Sequence, residues 1–147
     1  MSPIDQQQES RQRDRLRQLV ERLTGEQLAT PLGGDWTVGV AFAHMAFWDR
    51  RVVAQLAKWA REGRGPEPRD TIDSEVINEA SLAQWRALEP RAAANEALAA
   101  AEAADQGLAR TDPRVIEQII TQHGPFGLPR AAHRAEHLDQ IERAIGA

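Results

Sequence analysis

The chain contains no cysteine among its 147 residues. Disulfide bonds, thiolate metal sites and cysteine nucleophiles are therefore excluded. Lysine is almost as scarce, because Lys58 is the one lysine among 18 basic residues. A mechanism through a lysine Schiff base would have only that residue to use. Any thiol nucleophile would have to arrive with a cosubstrate.

Long apolar runs are also missing. No stretch of 18 consecutive apolar residues occurs, so we expect no membrane-spanning helix and no membrane partner. Residues 1–17 are polar and charged, and they lack the apolar segment of a signal peptide. The absence of cysteine suits a reducing compartment. Together these features lead us to expect a cytoplasmic protein.

The charge pattern gives no indication of a nucleic-acid partner. The net charge is −4, and basic residues are spread along the chain. Their only concentration lies in the first predicted helix, whose charged residues are Glu9, Arg11, Arg13, Asp14, Arg15, Arg17, Glu21 and Arg22. Because both signs are mixed there, we interpret this segment as a solvated helix face. We expect no nucleic-acid binding.

Apolar residues recur with the period of an α-helix over most of the chain. They predict helices over residues 5–23, 73–88, 90–109, 113–122 and 129–145, with a loop at 63–70 and a break at 124–127. A further helix begins between residues 35 and 37, frays at 61–63, and has an apolar face broad enough for the middle of a bundle. No segment shows the alternation of a β-strand. The pattern predicts one all-α domain over residues 1–147, an antiparallel four-helix bundle with short extra helices.

Histidine is the residue type that indicates chemistry. His133 and His137 lie four positions apart on the last predicted helix, so their imidazoles share one face and can hold one metal ion. His44 lies within the most apolar helix, where an unpaired imidazole would cost roughly 1–3 kcal/mol. One interpretation of His44 is a core histidine bonded to an oxygen. The other is a site formed by all three histidines, with positions left for water as in catalytic metal centres.

Two segments resemble the DinB-like superfamily, which includes the N-terminal domains of mycothiol-dependent maleylpyruvate isomerases. In the first segment, a Trp-Thr-Val sequence opens the second long helix, and His44 follows Trp36 by eight residues. In the second, the HxxxH pair of His133 and His137 is followed by a Gln-Ile pair. The resemblance covers essentially the whole chain in helix order and length, and its specific matches are confined to these two segments.

The resemblance implies an up-down-down-up order of the helices and a metal site in which His44, His133 and His137 bind zinc or nickel. It also implies a homodimer. Some members transfer or isomerise with a low-molecular-weight thiol as cosubstrate, whereas others have lost ligands and have no known activity. This chain keeps all three histidines, which favours a member able to bind metal.

The segment from His133 to His137 can also be read as H-x-x-E-H, the zinc signature of inverted-motif metalloproteases. Those proteins are much larger and take their third ligand from far downstream, whereas only ten residues follow His137. We therefore do not favour a protease. Glu136 would lie beside the metal and is a candidate proton shuttle, against the plainer interpretation of a solvated helix residue.

Other residues receive plainer interpretations. His123 precedes a Gly-Pro turn and is interpreted as an exposed loop histidine, with the entrance of a pocket as the alternative. Trp48 and Asp49, on the turn after His44, are candidates for shaping a pocket. The tryptophans are interpreted as core anchors rather than as a cofactor site; they are Trp36, Trp48, Trp59 and Trp85.

Three functional hypotheses remain from the sequence. The first is a metal-dependent enzyme acting on a small molecule, either a thiol-dependent transferase or isomerase or a hydrolase, in which the metal activates a thiolate, a carbonyl oxygen or water. The alternative is a non-catalytic metal- or ligand-binding stress protein on the same bundle. The third is a structural bundle whose histidines are hydrogen-bonded core residues. There is no glycine-rich phosphate loop, G-x-S-x-G elbow or dinucleotide fingerprint.

Overall fold

Helices make up most of the described chain. The computed structural model describes residues 4–65, 72–123 and 127–146, without the side chains of residues 122 and 123. Its elements are α1 Gln6–Arg22, α2 Gly25–Leu28, β1 Pro31–Gly33, β2 Trp36–Thr37, α3 Val38–Glu62, α4 Ser74–Ala87, α5 Pro90–Arg110, α6 Pro113–His123 and α7 Ala131–Ile145. The predicted helical class is confirmed. None of the helices in these ranges has the length and apolar character needed to cross a membrane.

The predicted helix boundaries hold because capping is local. The side chains of Asp5, Thr37 and Asp73 each accept a hydrogen bond from a backbone N–H two or three positions further on. Such bonds satisfy first-turn donors that have no partner within the helix. At the other end of α3, Gly63 adopts a left-handed backbone with a φ of 68°. Glycine takes this conformation without steric cost, so α3 ends where the sequence predicted fraying.

A short hairpin between α2 and α3 departs from the prediction, which placed no strand in the chain. Pro31 pairs with Thr37, and Gly33 pairs with Trp36. With three and two residues, the strands are too short to show the alternation by which a strand is recognised. Gly33 and Gly34 have positive φ values of 116° and 56°, which glycine accepts because it lacks a Cβ atom. The hairpin holds Trp36 immediately before α3.

The longest helices pack on one another. α3 packs most extensively on α5, α1 packs on α5 and α7, and α7 also contacts α3. Each of these four helices therefore touches two others, an arrangement in keeping with the expected bundle. The up-down-down-up order of their directions stays a prediction.

Small residues let α5 approach its neighbours closely. A Cβ atom added to Gly39 of α3 would lie 3.1 Å from Cβ of Pro90, at the first position of α5. The buried face of α5 is almost entirely alanine and comprises Ala93, Ala94, Ala97, Ala100, Ala101 and Ala104. Close packing of this kind fixes the positions of the side chains that α3 carries on its other faces.

Two apolar clusters form the core, and charged side chains are buried where they meet. Along α3, one cluster ends at Ala46 and the other begins at Val52, with the buried Asp49 between them. The buried Asp105 follows the corresponding transition on α5. The buried charged residues are Glu9, Asp49, Asp105, Arg130 and Arg134. The two arginines of this ion cluster lie close in sequence to His133 and His137.

Candidate metal centre

Three histidines from two helices meet at one place. His44 comes from the buried part of α3, and His133 and His137 come from successive turns of α7. The ring centroid of His44 lies 5.1 Å from that of His133 and 4.6 Å from that of His137, and the last two are 4.7 Å apart. The sequence-based expectation that folding brings these side chains together is confirmed.

The trio has the composition and spacing of a metal site. One nitrogen from each ring lies within 4.8 Å of the other two. Nε2 of His44 and Nε2 of His133 are 3.1 Å apart. Zinc binds histidine nitrogens at about 2.0–2.1 Å, which places two ligands of a tetrahedral site about 3.4 Å apart. The three imidazoles could therefore hold one divalent ion and leave positions open to other ligands.

The fold keeps these imidazoles in the neutral form that binds metal. Burial lowers the pKa of His44 to about 3, and repulsion from a protonated His137 would lower it in addition. Burial also lowers the pKa of His133 to about 2, with the Arg130 guanidinium as the next cause. The pKa of His137 is lowered by burial against the opposing effect of Gln140. Since only the neutral ring offers a lone pair, the ligand nitrogens are available at neutral pH.

Hydrogen-bond partners fix which nitrogen of each ring carries its hydrogen. Oε1 of Gln140 lies 3.3 Å from Nδ1 of His137 and can only accept, so Nδ1 donates and Nε2 keeps its lone pair. A terminal nitrogen of Arg130 lies 3.2 Å from Nδ1 of His133 and can only donate. Neutral His133 therefore carries its hydrogen on Nε2, facing His44. Nδ1 of His44 is buried and has no partner among the described residues.

A fully buried arginine lies between the two histidines of α7 in sequence. Both terminal nitrogens of Arg134 donate to the carboxylate of Asp105, at 3.0 and 2.9 Å. One of them also lies 3.4 Å from Oδ2 of Asp49. Because Arg134 is one position after His133, its side chain points to a different face of α7, toward α3 and α5. The ion pairs thereby hold the helix that carries two of the three histidines.

Arg130 connects these ion pairs to the histidines. Its Nε donates to Oδ1 of Asp49 at 2.6 Å, and one terminal nitrogen donates to the carbonyl of Gly127 at 2.8 Å. The other terminal nitrogen reaches His133. The guanidinium is therefore held in place beside the trio by bonds from two other segments of the chain.

Glu9 of α1 anchors the beginning of α7. No side chain of α7 itself caps this helix. Instead, Oε1 of Glu9 accepts hydrogen bonds from the backbone N–H groups of Arg130 and Ala131, at 2.9 and 3.1 Å. A carboxylate at this position satisfies first-turn donors and suits the positive end of the helix dipole. Burial nevertheless raises the pKa of Glu9.

A cavity of about 410 Å³ adjoins the trio. Its walls combine aromatic, polar and charged side chains, namely Trp36, His44, Trp48, Ser74, Asn78, Arg130, His133, Glu136 and His137. The Trp36 ring stacks on His137 with an interplanar angle of 11°. Nε1 of Trp48 donates to Oδ1 of Asn78 at 2.8 Å, which leaves the amide nitrogen of Asn78 for other partners. The cavity therefore offers polar contacts beside the candidate metal centre.

The remaining sequence-based assignments are only partly matched by the structure. Trp59 and Trp85 are buried as predicted, whereas Trp36 and Trp48 are half-buried and line the cavity. Glu136 is exposed at the cavity and is not one of the trio, and its role as a proton shuttle stays a prediction. The environment of the His123 side chain lies outside what the structure describes.

Arg130, Ser74 and Asn78 were not predicted as cavity residues. Arg130 follows a proline in a stretch that resembles the start of a helix, and its partner Asp49 lies 81 positions away. Asp49 could have indicated a buried cationic partner, because a carboxylate on the most apolar helix requires one. Ser74 and Asn78 carried no such signal, since polar residues are ordinary on a helix that is largely exposed.

A comparison with family models places the chain among known proteins. The model of the DinB superfamily matches residues 8–141. No curated protein and no solved structure matches the chain. The matched range contains the hairpin residue Trp36, the three histidines and the arginines described above. The chain therefore belongs to the DinB superfamily.

Proposed function

We propose that the protein is a metal-dependent enzyme that acts on a small molecule in the cavity beside His44, His133 and His137. The observation that carries this proposal is the convergence of three neutral imidazoles at the wall of that cavity. Three desolvated imidazoles in contact reduce stability at mildly acidic pH, and a purely structural core does not need them. Strongly shifted pKa values at a cleft are typical of functional sites.

Each residue of the site has a role under this proposal. The three histidines hold a divalent ion, zinc or nickel, and Gln140 orients the ring of His137. The bound ion would supply Lewis-acid activation of a thiolate, a carbonyl oxygen or water. Trp36, whose ring is nearly parallel to that of His137, forms part of the cavity wall beside the ion. Asn78 offers its amide to the substrate, in a position set by Trp48.

The absence of cysteine directs the choice of reaction. Because the chain has no thiol of its own, thiol chemistry requires a low-molecular-weight thiol as a cosubstrate. We propose a thiol-dependent transfer or isomerisation as the first reaction class and hydrolysis as the second. Glu136 is positioned at the cavity to take up a proton from the incoming thiol or water.

One observation favours a second candidate function, a non-catalytic metal- or ligand-binding protein. Glu136 is the only carboxylate among the described residues that line the cavity, and it is exposed. A general base near neutral pH usually owes its pKa to burial or to neighbouring charges. Without such a base, the same cavity would serve binding rather than turnover.

Elemental analysis of the purified protein tests the metal site. We expect one zinc or nickel ion per chain in the wild type and loss of most of it in His44→Ala, His133→Ala and His137→Ala. His123→Ala is the matched control, because it removes a histidine outside the trio. Unchanged metal content in all three site variants would disprove the metal site.

Turnover separates the two candidate functions. The metal-loaded protein is incubated with an activated electrophile and a panel of low-molecular-weight thiols, and separately with an activated ester. Product formation that is lost in His133→Ala supports the enzyme. Ligand binding without turnover in either assay supports the binding protein.

A further inference from the structure

We propose that Arg130 binds a carboxylate group of the small molecule that occupies the cavity beside the three histidines. The inference deepens the proposed function and depends on that cavity being the site of ligand binding. It identifies an acidic small molecule as the class of ligand. It also assigns Arg130 a role in specificity, for which the sequence contained no indication.

Hydrogen bonds hold Arg130 in position before any ligand arrives. The residue is 5% exposed, and its guanidinium lines the cavity. Bonds to Asp49 at 2.6 Å and to the carbonyl of Gly127 at 2.8 Å fix two of its three nitrogens. A side chain that is already ordered loses little conformational entropy when it binds a partner. Arg130 is therefore preorganised at the cavity wall.

Arg130 keeps hydrogen-bond donors that no described residue uses. A guanidinium carries five N–H groups. Three of them are directed at Asp49, Gly127 and His133. The other two, one on each terminal nitrogen, have no partner within the described ranges. Pairs of guanidinium N–H groups bind the two oxygens of a carboxylate strongly and with defined geometry.

A bound metal ion would give the cavity an excess of positive charge. The buried ion cluster does not supply this excess, because its two arginines face three carboxylates, those of Glu9, Asp49 and Asp105. A divalent ion on three neutral imidazoles would add two positive charges that its ligands do not neutralise. Glu136, the one carboxylate among the described residues that line the cavity, balances at most one of these charges, and an anionic ligand would balance the remainder.

Metal loading would change the hydrogen bond between Arg130 and His133. Binding of an ion through Nε2 of His133 requires the hydrogen of that ring to reside on Nδ1 instead. Nδ1 can then no longer accept the bond from Arg130 that is present now. The released N–H becomes a third donor for the ligand. Metal and carboxylate should therefore strengthen each other's binding, and the coupling is reciprocal.

Arg134 has a structural role in the same protein and can be compared with Arg130. Its terminal nitrogens are taken up by Asp105, Asp49 and the carbonyl of Ala101. It is fully buried and does not line the cavity. Arg130 differs because it lines the cavity and donates to only one carboxylate oxygen, that of Asp49, which is why we assign the ligand to Arg130.

Matched pairs of ligands test the proposal on the full chain loaded with zinc. The pairs are acetate and acetamide, benzoate and benzamide, and succinate and succinamide, and binding is followed by tryptophan fluorescence and titration calorimetry. We expect at least one carboxylate to bind about tenfold or more tightly than its amide. We also expect the difference in affinity between carboxylate and amide to be smaller without zinc, because Arg130 then donates a hydrogen bond to His133 again.

Variants identify the residue responsible. Arg130→Gln should abolish the preference for the carboxylate, and Arg130→Lys should keep a reduced preference, since lysine retains the charge but not the planar pair of donors. Arg50→Gln is the matched control, because it removes the same charge from an exposed arginine of α3 that pairs with Glu96. Metal content is measured on every sample.

Two outcomes would overturn the proposal. One is equal binding of carboxylate and amide in all three pairs by the zinc-loaded wild type. The other is an Arg130→Gln variant that has unchanged metal content and still prefers the carboxylate over its amide as strongly as the wild type does. That result would mean that the carboxylate binds the zinc ion alone. If Arg130→Gln does not fold, Arg130→Lys and the wild-type pairs decide the question. If the wild type takes up no zinc, the metal site is refuted instead. The comparison of each carboxylate with its amide then still tests whether Arg130 binds a carboxylate.

Discussion

Oε1 of Gln140 lies 3.3 Å from Nδ1 of His137, one turn further along α7. An amide oxygen can only accept, so the bond directs the hydrogen of His137 outward and leaves Nε2 to the trio. Partners of this kind orient histidine ligands and raise their basicity. Gln140 thus prepares His137 for metal binding through a contact that is local to the helix.

We expect Gln140→Leu to weaken metal binding by about 10–100-fold while the protein remains folded. The leucine removes the acceptor and leaves the ring of His137 free to turn. Competition with a chromogenic chelator measures the affinity. Gln140→Glu is the control, because it keeps an acceptor at the same position. Equal affinity in Gln140→Leu and the wild type would show that the bond has no role in the site.

The metal-free protein should contain two different histidine tautomers. We expect His137 to carry its hydrogen on Nδ1, because Gln140 accepts it, and His133 to carry its hydrogen on Nε2, because Arg130 donates to Nδ1. Long-range nitrogen–proton NMR correlations distinguish the two forms. Addition of zinc should convert His133 to the Nδ1–H form. An Nδ1–H form of His133 without metal would contradict the bond from Arg130.

Acidification should destabilise the metal-free protein between about pH 6.5 and pH 3. Burial lowers the pKa of His44 from 6.5 to about 3, so within this range the unfolded chain binds a proton that the folded protein does not. The free energy of unfolding therefore decreases as the pH falls, by at most ~1.4 kcal/mol per pH unit for each such histidine. Above pH 6.5 both states are neutral, and this contribution disappears.

Thermal unfolding of the metal-free wild type and of His44→Gln at a series of pH values measures this effect. The glutamine does not titrate, so the variant should lose less stability on acidification than the wild type. Glu9 acts in the opposite direction, because burial raises its pKa and the folded state then favours its protonation. Comparing the two proteins at each pH cancels that contribution. Parallel curves would show that His44 is not protonated on unfolding.

Replacement of Arg134 should strongly destabilise the protein. Arg134→Met removes the two-pronged partner of the buried Asp105 carboxylate and a second contact of Asp49, and the loss of a buried ion-pair partner typically costs about 3–5 kcal/mol. Urea unfolding measures the loss. Arg17→Met is the control, because Arg17 forms exposed pairs with Asp14 and Glu102 and such pairs contribute little. A similar small effect in both variants would mean that water reaches the buried cluster.

The metal candidates and the helices were predictable because their signals are local. The cap at Thr37 acts within three residues, and the apolar period of α3 is visible in the residues that follow it. His133 and His137 share a face because of helix geometry alone. His44 was recognised because an imidazole on an apolar helix needs a partner, and the family resemblance supplied the expectation of which partner.

The sequence by itself determined the helical class, the position of most helices and the identity of the three histidines. Only the tertiary structure decided that Trp36 and Trp48 line a cavity and that Arg130 lies between Asp49 and His133. The physical reason is distance along the chain. Caps and apolar periods act over a few residues, whereas the environment of a charged or aromatic side chain depends on segments packed against it from far away, such as Asp49 against Arg130.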